Sequence, residues 1–263
     1  MEKLDLTIGV LAWKSHRNLI NVLESYKRNG LFDCCREIVV LFQEISENDL
    51  KVIKKYSLEY IGLKENIGIG KGFSILAERA KSQNIILLEH DWKLIEPKPV
   101  VFKRLADGIS LLNDGIDVVR YRHRKNPGFP HFSFSLKGRE LDYYDEWHQI
   151  TSPHLLDSVH WLDPALEFPD KIMKQKEYFI TTSRYGNWTN NPCMFRKKFY
   201  LEVTRDFLGE SIDLEQNIAF WWPRQNYKVA HGEGLFKHED LIKYSLFKRL
   251  KSIISKLLSR LKK

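Results

Sequence analysis

The sequence predicts an α/β fold built on a mixed, mainly parallel sheet flanked by helices. Through about residues 4–122, short apolar runs rich in strand-forming side chains alternate with segments of helical periodicity. This alternation is the pattern of βαβ units, which place their strands parallel and side by side. A length of 263 residues allows one well-buried domain and is short for two, and no internal repeat interrupts the chain.

The predicted elements follow one another regularly in the first half of the chain. Strands are predicted at residues 6–12, 37–42, 58–63, 84–89 and 117–122. Helices are predicted at residues 18–28, from about 46 to 56, from a glycine-rich segment to about 81, and at 99–113. Ser46 followed by Asp49 resembles a capping box at the start of the second helix. In the second half, residues 184–195 predict a loop leading into a strand, 196–204 and 214–222 predict helices, and 123–180 show weak periodicity.

The cysteines and the N-terminus predict a cytoplasmic location. Cys34, Cys35 and Cys193 lack the spacing of a disulfide framework, a redox pair or a zinc site, so we expect reduced thiols. The first ten residues have no apolar core behind a basic region. No run reaches the about 18 apolar residues that a transmembrane helix requires.

The excess positive charge is concentrated at the C-terminus. The chain has 42 Lys and Arg residues against 34 Asp and Glu residues, a net charge of +8. Residues 241–263 contain eight basic residues and no acidic one, so residues 1–240 carry equal numbers of both signs. A nucleic-acid-binding protein more often spreads basic side chains over its folded surface, and we therefore predict no nucleic-acid partner.

Residues 241–263 predict a basic amphipathic helix that follows the domain at 1–240. Leucine, isoleucine and phenylalanine recur at steps of three and four residues, and basic side chains fill most of the remaining face. Such a helix is too charged to span a bilayer but suits the surface of an anionic membrane, here the cytoplasmic face. Docking of the helix on the domain or on a partner protein is the alternative.

An acidic triplet, Glu89-His90-Asp91, ends the fourth predicted strand. Because successive strand side chains point to opposite faces, we expect Glu89 and Asp91 on one face and His90 on the other. Ligands of α/β sheets bind at the carboxyl ends of the strands, and two carboxylates there can hold a divalent cation that grips a diphosphate. Ordinary polar residues where a strand meets solvent are the alternative interpretation.

A glycine-rich segment, NIGIGKG at residues 66–72, precedes the third predicted helix. It matches neither the G-x-G-x-x-G fingerprint nor a P-loop, because Lys71 is followed by glycine rather than by serine or threonine. Glycines allow a ligand to approach the backbone, and a helix N-terminus favours phosphate. By itself, however, the segment favours a structural turn ahead of a helix.

Taken together, the two segments resemble the GT-A glycosyltransferases, particularly the inverting enzymes of family 2. Those enzymes carry an Asn-Gly-Gly segment before a helix and a D-x-D motif after the next strand; here N-x-G-x-G-x-G precedes the acidic triplet by about twenty residues. The resemblance covers residues 4–95 well and 180–240 loosely. It departs from the family pattern at Glu89, which replaces the first aspartate of the motif, whereas Asp91 matches the last.

The resemblance implies a Rossmann-like GT-A domain that transfers a sugar, with inversion, from a nucleotide-diphosphate sugar to a hydroxyl of a glycan or lipid-linked acceptor. A UDP-sugar is favoured over a GDP-sugar as the donor. The resemblance also implies a divalent cation, Mn²⁺ or Mg²⁺. Its ligands would be Asp91 and, on a late loop that follows Gly232-x-Gly234, His238.

The remaining roles are likewise implied by the resemblance. The donor would contact Ala12, Trp13, Lys14, Asn66, Gly68, Gly70, Lys71, Arg79, Glu89, His90 and Asp91. The acceptor would contact a loop that contains Trp188, Asn190 and Asn191. Because an inverting transfer needs a carboxylate to take the proton of the acceptor hydroxyl, the start of the late helix would supply a catalytic base. Glu215 is preferred for this role and Asp213 is the second choice.

Two other classes of protein remain open. A nucleotidyltransferase shares glycine-rich loops and acidic metal sites on a related sheet, but the loop after its first strand usually contains glycine, and AWKSHRN at residues 12–18 contains none. A sugar-binding or membrane scaffold that has lost activity is compatible with the replacement of aspartate by Glu89.

Overall fold

A single ten-stranded sheet organises the residues that the computed structural model describes, namely 2–128, 163–209 and 214–239. The predictions for Asp213 and for the helix at 241–263 fall outside these residues. The strands are β1 (Leu4–Trp13), β2 (Cys35–Gln43), β3 (Glu59–Gly62), β4 (Asn84–Glu89), β5 (Trp92–Leu94), β6 (Val118–Arg122), β7 (Met173–Gln175), β8 (Tyr178–Thr182), β9 (Cys193–Arg196) and β10 (Lys228–His238).

The sheet is mixed and mainly parallel, as the sequence predicts. Its order is β3-β2-β1-β4-β9-β6-β10-β8-β7, and β5 pairs with the end of β10. The strands β1 to β4 are parallel to one another, and β6 is parallel to β10. The strand β9 lies antiparallel between β4 and β6, so these two strands share one direction. Of the described strands, only β5, β8 and β9 run against the others.

Helices cover both faces of this sheet. They are α1 (His16–Arg28), α2 (Leu31–Cys34), α3 (Glu47–Tyr56), α4 (Ile69–Arg79), α5 (Lys98–Asn113), α6 (Pro164–Glu167), α7 (Lys197–Thr204) and α8 (Leu214–Ile218). Apolar side chains of α1, α2, α3 and α5 pack in one core cluster on one face. Those of α4, α7 and α8 pack in a second cluster on the other face.

Close packing of α4 on the first strand depends on two glycines. A Cβ atom added at Gly9 would lie 2.9 Å from Leu87 and 3.1 Å from Leu76, and one added at Gly72 would lie 2.7 Å from Leu11. The helix therefore approaches the sheet more closely than larger side chains would permit. This approach fixes the glycine-rich segment ahead of α4 against the ends of β1 and β2.

The regular first half of the chain forms the elements that the sequence predicts. The five predicted strands correspond to β1, β2, β3, β4 and β6, and α3 begins with a capping box in which Ser46 and Asp49 bond to each other's backbone N–H groups. The three cysteines are buried and form no disulfide. Within the described ranges, no helix has the length and apolar character needed to cross a membrane.

The structure differs from the prediction in several elements, most of them in the second half. The short elements α2 and β5 in the first half were not predicted, nor were β7, β8 and β10. The prediction that His238 lies on a loop is wrong, because it is the last residue of β10. The helix expected at 214–222 ends at Ile218, and a separate short 3-10 helix covers Trp222–Arg224. Pro223 explains this break, since a proline inside a helix lacks the donor that continues it.

Candidate functional site

Four parallel strands end at one edge of the sheet, which we call the carboxyl edge. The strand β1 ends at Trp13, β4 at Glu89, β6 at Arg122 and β10 at His238. Open α/β sheets bind their ligands outside the carboxyl ends of their strands. The candidate site is therefore formed by these residues and by the loops that follow them.

The pairing of β5 with β10 brings Asp91 and His238 together. Residues 90–91 form a turn after β4, and the next residue, Trp92, lies opposite His238 in the antiparallel pair. The Oδ2 atom of Asp91 is 3.2 Å from Nε2 of His238. The rings of Trp92 and His238 are 4.7 Å apart, and the backbone N–H of Glu239 donates a hydrogen bond to the Asp91 carbonyl at 2.8 Å.

The Asp91–His238 pair fits a divalent cation. Adjacent ligands of an octahedral ion with bonds of about 2.1 Å lie about 3 Å apart, close to the 3.2 Å between these two atoms. The other carboxylate oxygen of Asp91, Oδ1, is buried and has no hydrogen-bond partner among the described residues. No group of three or more His, Cys, Asp and Glu side chains in the described ranges is arranged to hold a metal. A cation here would therefore need water or phosphate oxygens to complete its shell.

Glu89 concentrates negative charge beside this pair. Burial, followed by the Asp91 carboxylate, raises the pKa of Glu89 to about 7; the Glu215 carboxylate adds to the rise and His238 opposes it. Glu89 is therefore within electrostatic range of Asp91, His238 and Glu215. Because like charges repel one another, carboxylates in one region are stabilised when a proton or a cation neutralises part of their charge. The strand ends at Glu89, so strand alternation does not extend to Asp91, whose position is set by the turn instead.

Glu215 links the late helix to the predicted acceptor loop. It lies in the first turn of α8, and its Oε1 atom accepts a hydrogen bond from the backbone N–H of Asn190. The next residue, Asn191, donates its backbone N–H to Oγ1 of Thr189 at 3.1 Å. The structure thus brings Glu215, Asn190 and Asn191 together close to Glu89.

Trp188 has a different environment from the one predicted. Its side chain is 5% exposed, and its ring packs 5.0 Å from Trp222 and 5.5 Å from Phe195. A ring buried in this aromatic cluster supports the loop from beneath. The structure therefore corrects the assignment of Trp188 as an acceptor contact and leaves Asn190 and Asn191 as the half-buried members of that loop.

The loop after β1 presents an aromatic ring and a cation. Ala12 is buried, whereas Trp13 is 44% exposed and donates its Nε1–H to Glu44 at 3.2 Å. The Lys14 ammonium pairs with the same carboxylate and lies 5.1 Å from the centre of the Trp13 ring. Of these loop residues, Trp13 is placed to stack on a planar ligand.

His90, in the turn after β4, lies beside the Leu11 backbone of the neighbouring strand β1, and burial lowers its pKa.

The glycine-rich segment is held to the end of β2 by hydrogen bonds. The side chain of Gln43 accepts from the backbone N–H of Ile67 at 2.8 Å, and that of Asn66 accepts from Gly68 at 2.9 Å. Gly68 has φ +84° and precedes the first turn of α4, in which Lys71 is exposed. A Cβ atom at Gly70 would lie 3.1 Å from Leu214. Gly70 therefore packs against α8 and does not face a ligand.

The structure does not bring Arg79 to the carboxyl edge. Arg79 is the last residue of α4, which begins at that edge, and its guanidinium pairs with Glu59 at 3.2 Å. Glu59 is the first residue of β3, so the ion pair lies at the opposite edge of the sheet. A helix of eleven residues spans about 16 Å, which separates Arg79 from any ligand at the start of α4.

Sequence reasoning missed a glycine that positions His238. The backbone N–H of His238 donates to the Pro127 carbonyl at 3.2 Å, and Gly128 forms a parallel bridge with His238. Gly128 has φ +75°, and an added Cβ would lie 2.0 Å from the His238 carbonyl oxygen. A Pro-Gly dipeptide signals a turn in the sequence, but nothing in it identifies the strand that the turn contacts.

Comparison with known proteins identifies the fold. No family profile and no curated protein sequence matches the chain. The structure of S. aureus TarS 1–349 aligns with a TM-score of 0.56 at 13% identity, over 90% of this chain and 60% of that one. The structures of that protein in complex with UDP and with UDP-GlcNAc align with TM-scores of 0.55 and 0.51.

A second protein of similar architecture is glucosyl-3-phosphoglycerate synthase from Mycobacterium tuberculosis in complex with phosphoglyceric acid. It aligns with a TM-score of 0.50 at 14% identity, over 97% of this chain and 79% of that one. The predicted GT-A fold is confirmed by these similarities. The chain spans about three-fifths of the length of the TarS 1–349 chain.

Gly128→Ala should displace the His238 backbone. If Asp91 and His238 hold a cation, the substitution should weaken Mn²⁺ binding, measured in the presence of UDP, by about 10- to 100-fold, the usual effect of losing support for a metal ligand. Gly115→Ala is the matched control, because Gly115 has φ +89° but nothing within 4 Å of an added Cβ. Electron paramagnetic resonance would give the Mn²⁺ affinities and thermal unfolding the stabilities. Equal Mn²⁺ affinities in the two variants would contradict the role of Gly128.

Proposed function

We propose that this chain is a metal-dependent, inverting glycosyltransferase that moves a sugar from a nucleotide-diphosphate sugar to an acceptor hydroxyl. The observation that carries the proposal is the contact of Asp91 with His238 at the carboxyl edge of a GT-A fold, beside Glu89, whose pKa the Glu215 carboxylate helps to raise. Glycosyl transfer needs a group to neutralise the leaving diphosphate and another to take the proton of the attacking hydroxyl. The pair suits the first task and Glu215 the second.

A UDP-sugar is the favoured donor. The TarS structures that share the fold contain UDP and UDP-GlcNAc, which supports uridine over guanosine nucleotides. The exposed ring of Trp13 would stack on the base. The first turn of α4, which follows Gly68 and includes Lys71, offers backbone N–H groups and a cation to the phosphates.

Asp91 and His238 would hold a Mn²⁺ or Mg²⁺ ion, which supplies positive charge to the leaving diphosphate when bound. The protein contributes the buried position of Asp91, which is 7% exposed, and the fixed orientation of both side chains. Burial strengthens the attraction between the carboxylate and a cation because water screens it less. Two protein ligands leave room for phosphate oxygens, as Mg²⁺ sites in phosphate-transferring enzymes do.

Glu215 would act as the general base of a single displacement. Its hydrogen bond to the backbone of Asn190 holds the carboxylate beside the loop that carries Asn191. In an inverting reaction the acceptor hydroxyl attacks the anomeric carbon while the base takes its proton. Asp213 remains the second choice for this role.

The basic segment at 241–263 extends the proposal to a membrane surface. It begins three residues after His238, the last residue of β10 and a member of the proposed site. Each basic residue near an anionic leaflet contributes about 1 kcal/mol, and the segment has eight. A cytoplasmic enzyme held in this way would act on a lipid-linked glycan.

Asp91→Ala should abolish Mn²⁺-dependent binding of UDP, because it removes the buried carboxylate of the proposed metal site. His238→Ala should weaken binding less, since Asp91 remains. Isothermal titration calorimetry with and without Mn²⁺ measures both, and circular dichroism verifies folding. Asp170→Ala, which removes an exposed carboxylate, is the control. Unchanged Mn²⁺ and UDP affinities in Asp91→Ala would refute the metal site, and a preference for UTP would favour a nucleotidyltransferase.

Glu215→Gln should slow the chemical step by roughly 10²- to 10⁴-fold while UDP binding persists, because the amide cannot accept the hydroxyl proton. Single-turnover kinetics with a UDP-sugar measures that step. Glu202→Gln, which changes an exposed glutamate on α7, is the matched control. Activity in Glu215→Gln together with inactivity in Asp213→Asn would transfer the role to Asp213, and activity in both would remove the support for an inverting mechanism.

The full chain should sediment with liposomes that contain phosphatidylserine or phosphatidylglycerol, whereas a chain that ends at residue 240 should not. Binding should decrease with added salt, because the attraction between basic side chains and an anionic surface is screened. Neutral phosphatidylcholine liposomes are the control. Equal sedimentation of the two chains, or of neither, would favour docking of the helix on protein.

A further inference from the structure

The short strand β5 has a neighbouring strand on one side only. Of the described strands, β10 alone pairs with it, and across this pairing the Asp91 carbonyl accepts from the N–H of Glu239 at 2.8 Å. Because the backbone groups of successive strand residues point to opposite edges of the strand, those of Trp92 and Leu94 point away from β10. Both residues are buried, so these groups need partners from elsewhere in the protein.

Helix α1 and the residue after it supply these partners. The hydroxyl of Tyr26 donates to the Trp92 carbonyl at 2.8 Å. The N–H of Leu94 donates to Oγ of Ser25 at 3.1 Å. The carbonyl of Leu94 accepts from the side-chain amide of Asn29 at 2.8 Å. Three side chains from the end of one helix thus take the place of a second neighbouring strand.

Tyr26 also contacts the other strand of this pairing. Its ring lies edge-on to the ring of Phe236 in β10, with the ring centres 6.0 Å apart, and both side chains are fully buried. Phe236 and His238 are two residues apart after the bulge in β10, so their side chains lie on the same face. On the other strand, Trp92 directly follows Asp91. One buried side chain therefore contacts both strands close to the two proposed metal ligands.

The hydroxyl of Tyr26 is also within electrostatic range of the metal pair. Burial, followed by the Asp91 carboxylate, raises the pKa of Tyr26 well above its usual value. The hydroxyl therefore stays protonated at neutral pH, and the protonated form is the one that donates a hydrogen bond. The support that it gives to the Trp92 carbonyl is thus independent of pH in the neutral range.

We propose that Tyr26 is a positioning residue for the cation site, which holds β5 against β10 and so keeps Asp91 beside His238. This inference rests on the proposed function, in which these two side chains bind Mn²⁺ or Mg²⁺. A pairing of only three residues needs such support, because two-stranded pairings are marginally stable by themselves. Tyr26 acts through the backbone of the residue after Asp91, whose Oδ2 lies 3.2 Å from Nε2 of His238.

The first measurement requires neither metal nor nucleotide. Tyr26→Phe removes the hydroxyl and retains the ring, so the Trp92 carbonyl loses a partner while the contact with Phe236 remains. In the metal-free full chain, hydrogen–deuterium exchange at residues 92–95 and 235–239 should become about tenfold faster, because a buried group without its hydrogen bond makes local opening easier. Wild-type exchange in these two segments overturns the proposal.

The second measurement is the affinity for Mn²⁺ in the presence of UDP, by electron paramagnetic resonance. Tyr26→Phe should weaken Mn²⁺ binding by about tenfold, as expected when the support of a metal ligand is lost. Its affinity for UDP without metal should stay that of the wild-type protein, which a general loss of structure would not allow. Undiminished Mn²⁺ affinity in the folded variant overturns the proposal, even where exchange is faster.

Tyr121→Phe is the matched control. The hydroxyl of Tyr121, which is also buried, donates to the Arg104 carbonyl at 3.0 Å, so this variant loses the same kind of hydrogen bond at β6. It should retain wild-type exchange at residues 92–95 and wild-type Mn²⁺ affinity. Equal changes in the two variants overturn the proposal, because they would reflect a general loss of stability.

A second variant decides the question if Tyr26→Phe does not fold. Ser25→Ala removes the oxygen that accepts from the N–H of Leu94 and leaves Tyr26 in place. It should likewise accelerate exchange at residues 92–95 and weaken Mn²⁺ binding. Wild-type exchange and wild-type Mn²⁺ affinity in this variant would contradict the support of β5 by α1.

The outcomes distinguish this inference from the proposed function. Absence of Mn²⁺ binding to the wild-type protein in the presence of UDP contradicts the proposed function on which the inference rests. Failure of the inference alone has a different result, because the wild-type protein and Tyr26→Phe then bind both Mn²⁺ and UDP with equal affinity.

Discussion

The antiparallel pairing of three residues, Trp92–Leu94, with the end of β10 is the contact on which the site depends. It joins the segment after β4 to the last described strand and so brings Asp91 to His238 across most of the chain's length. The buried hydroxyl of Tyr26 supports it by donating to the Trp92 carbonyl at 2.8 Å. Without this short strand, nothing would bring His238 beside Asp91.

The parallel half of the fold could be predicted from the sequence because its signals are local. Apolar runs, helical spacing and the cap at Ser46 each act within a few residues. The sequence predicts a strand near β9 but not its place in the sheet, and it does not predict β10. Insertion of β9 between β4 and β6 depends on pairings with strands far away in the sequence, and glycines interrupt the alternation in β10. The strand β5, with three residues, is too short to produce a period.

The candidate site was predictable where a motif fixes a residue type, as for Asp91, and less so where packing decides orientation. The sequence does not show whether the ring of Trp188 points toward solvent or toward the core. Its contacts with Trp222 and Phe195 place it in the core. Arg79 is excluded by the length of α4.

The irregularity in β10 separates the two ends of that strand. Between two pairings with β6, Arg120 with His231 and Arg122 with Phe236, the longer strand contains three extra residues. Gly234 lies in this bulge with φ +84°, against the Arg122 carbonyl. Because the number of extra residues is odd, the alternation of side chains between the two faces does not continue through the bulge. The face on which His238 lies is therefore set by the pairs that follow the bulge, with Arg122 and with β5, and not by counting residues from the start of β10.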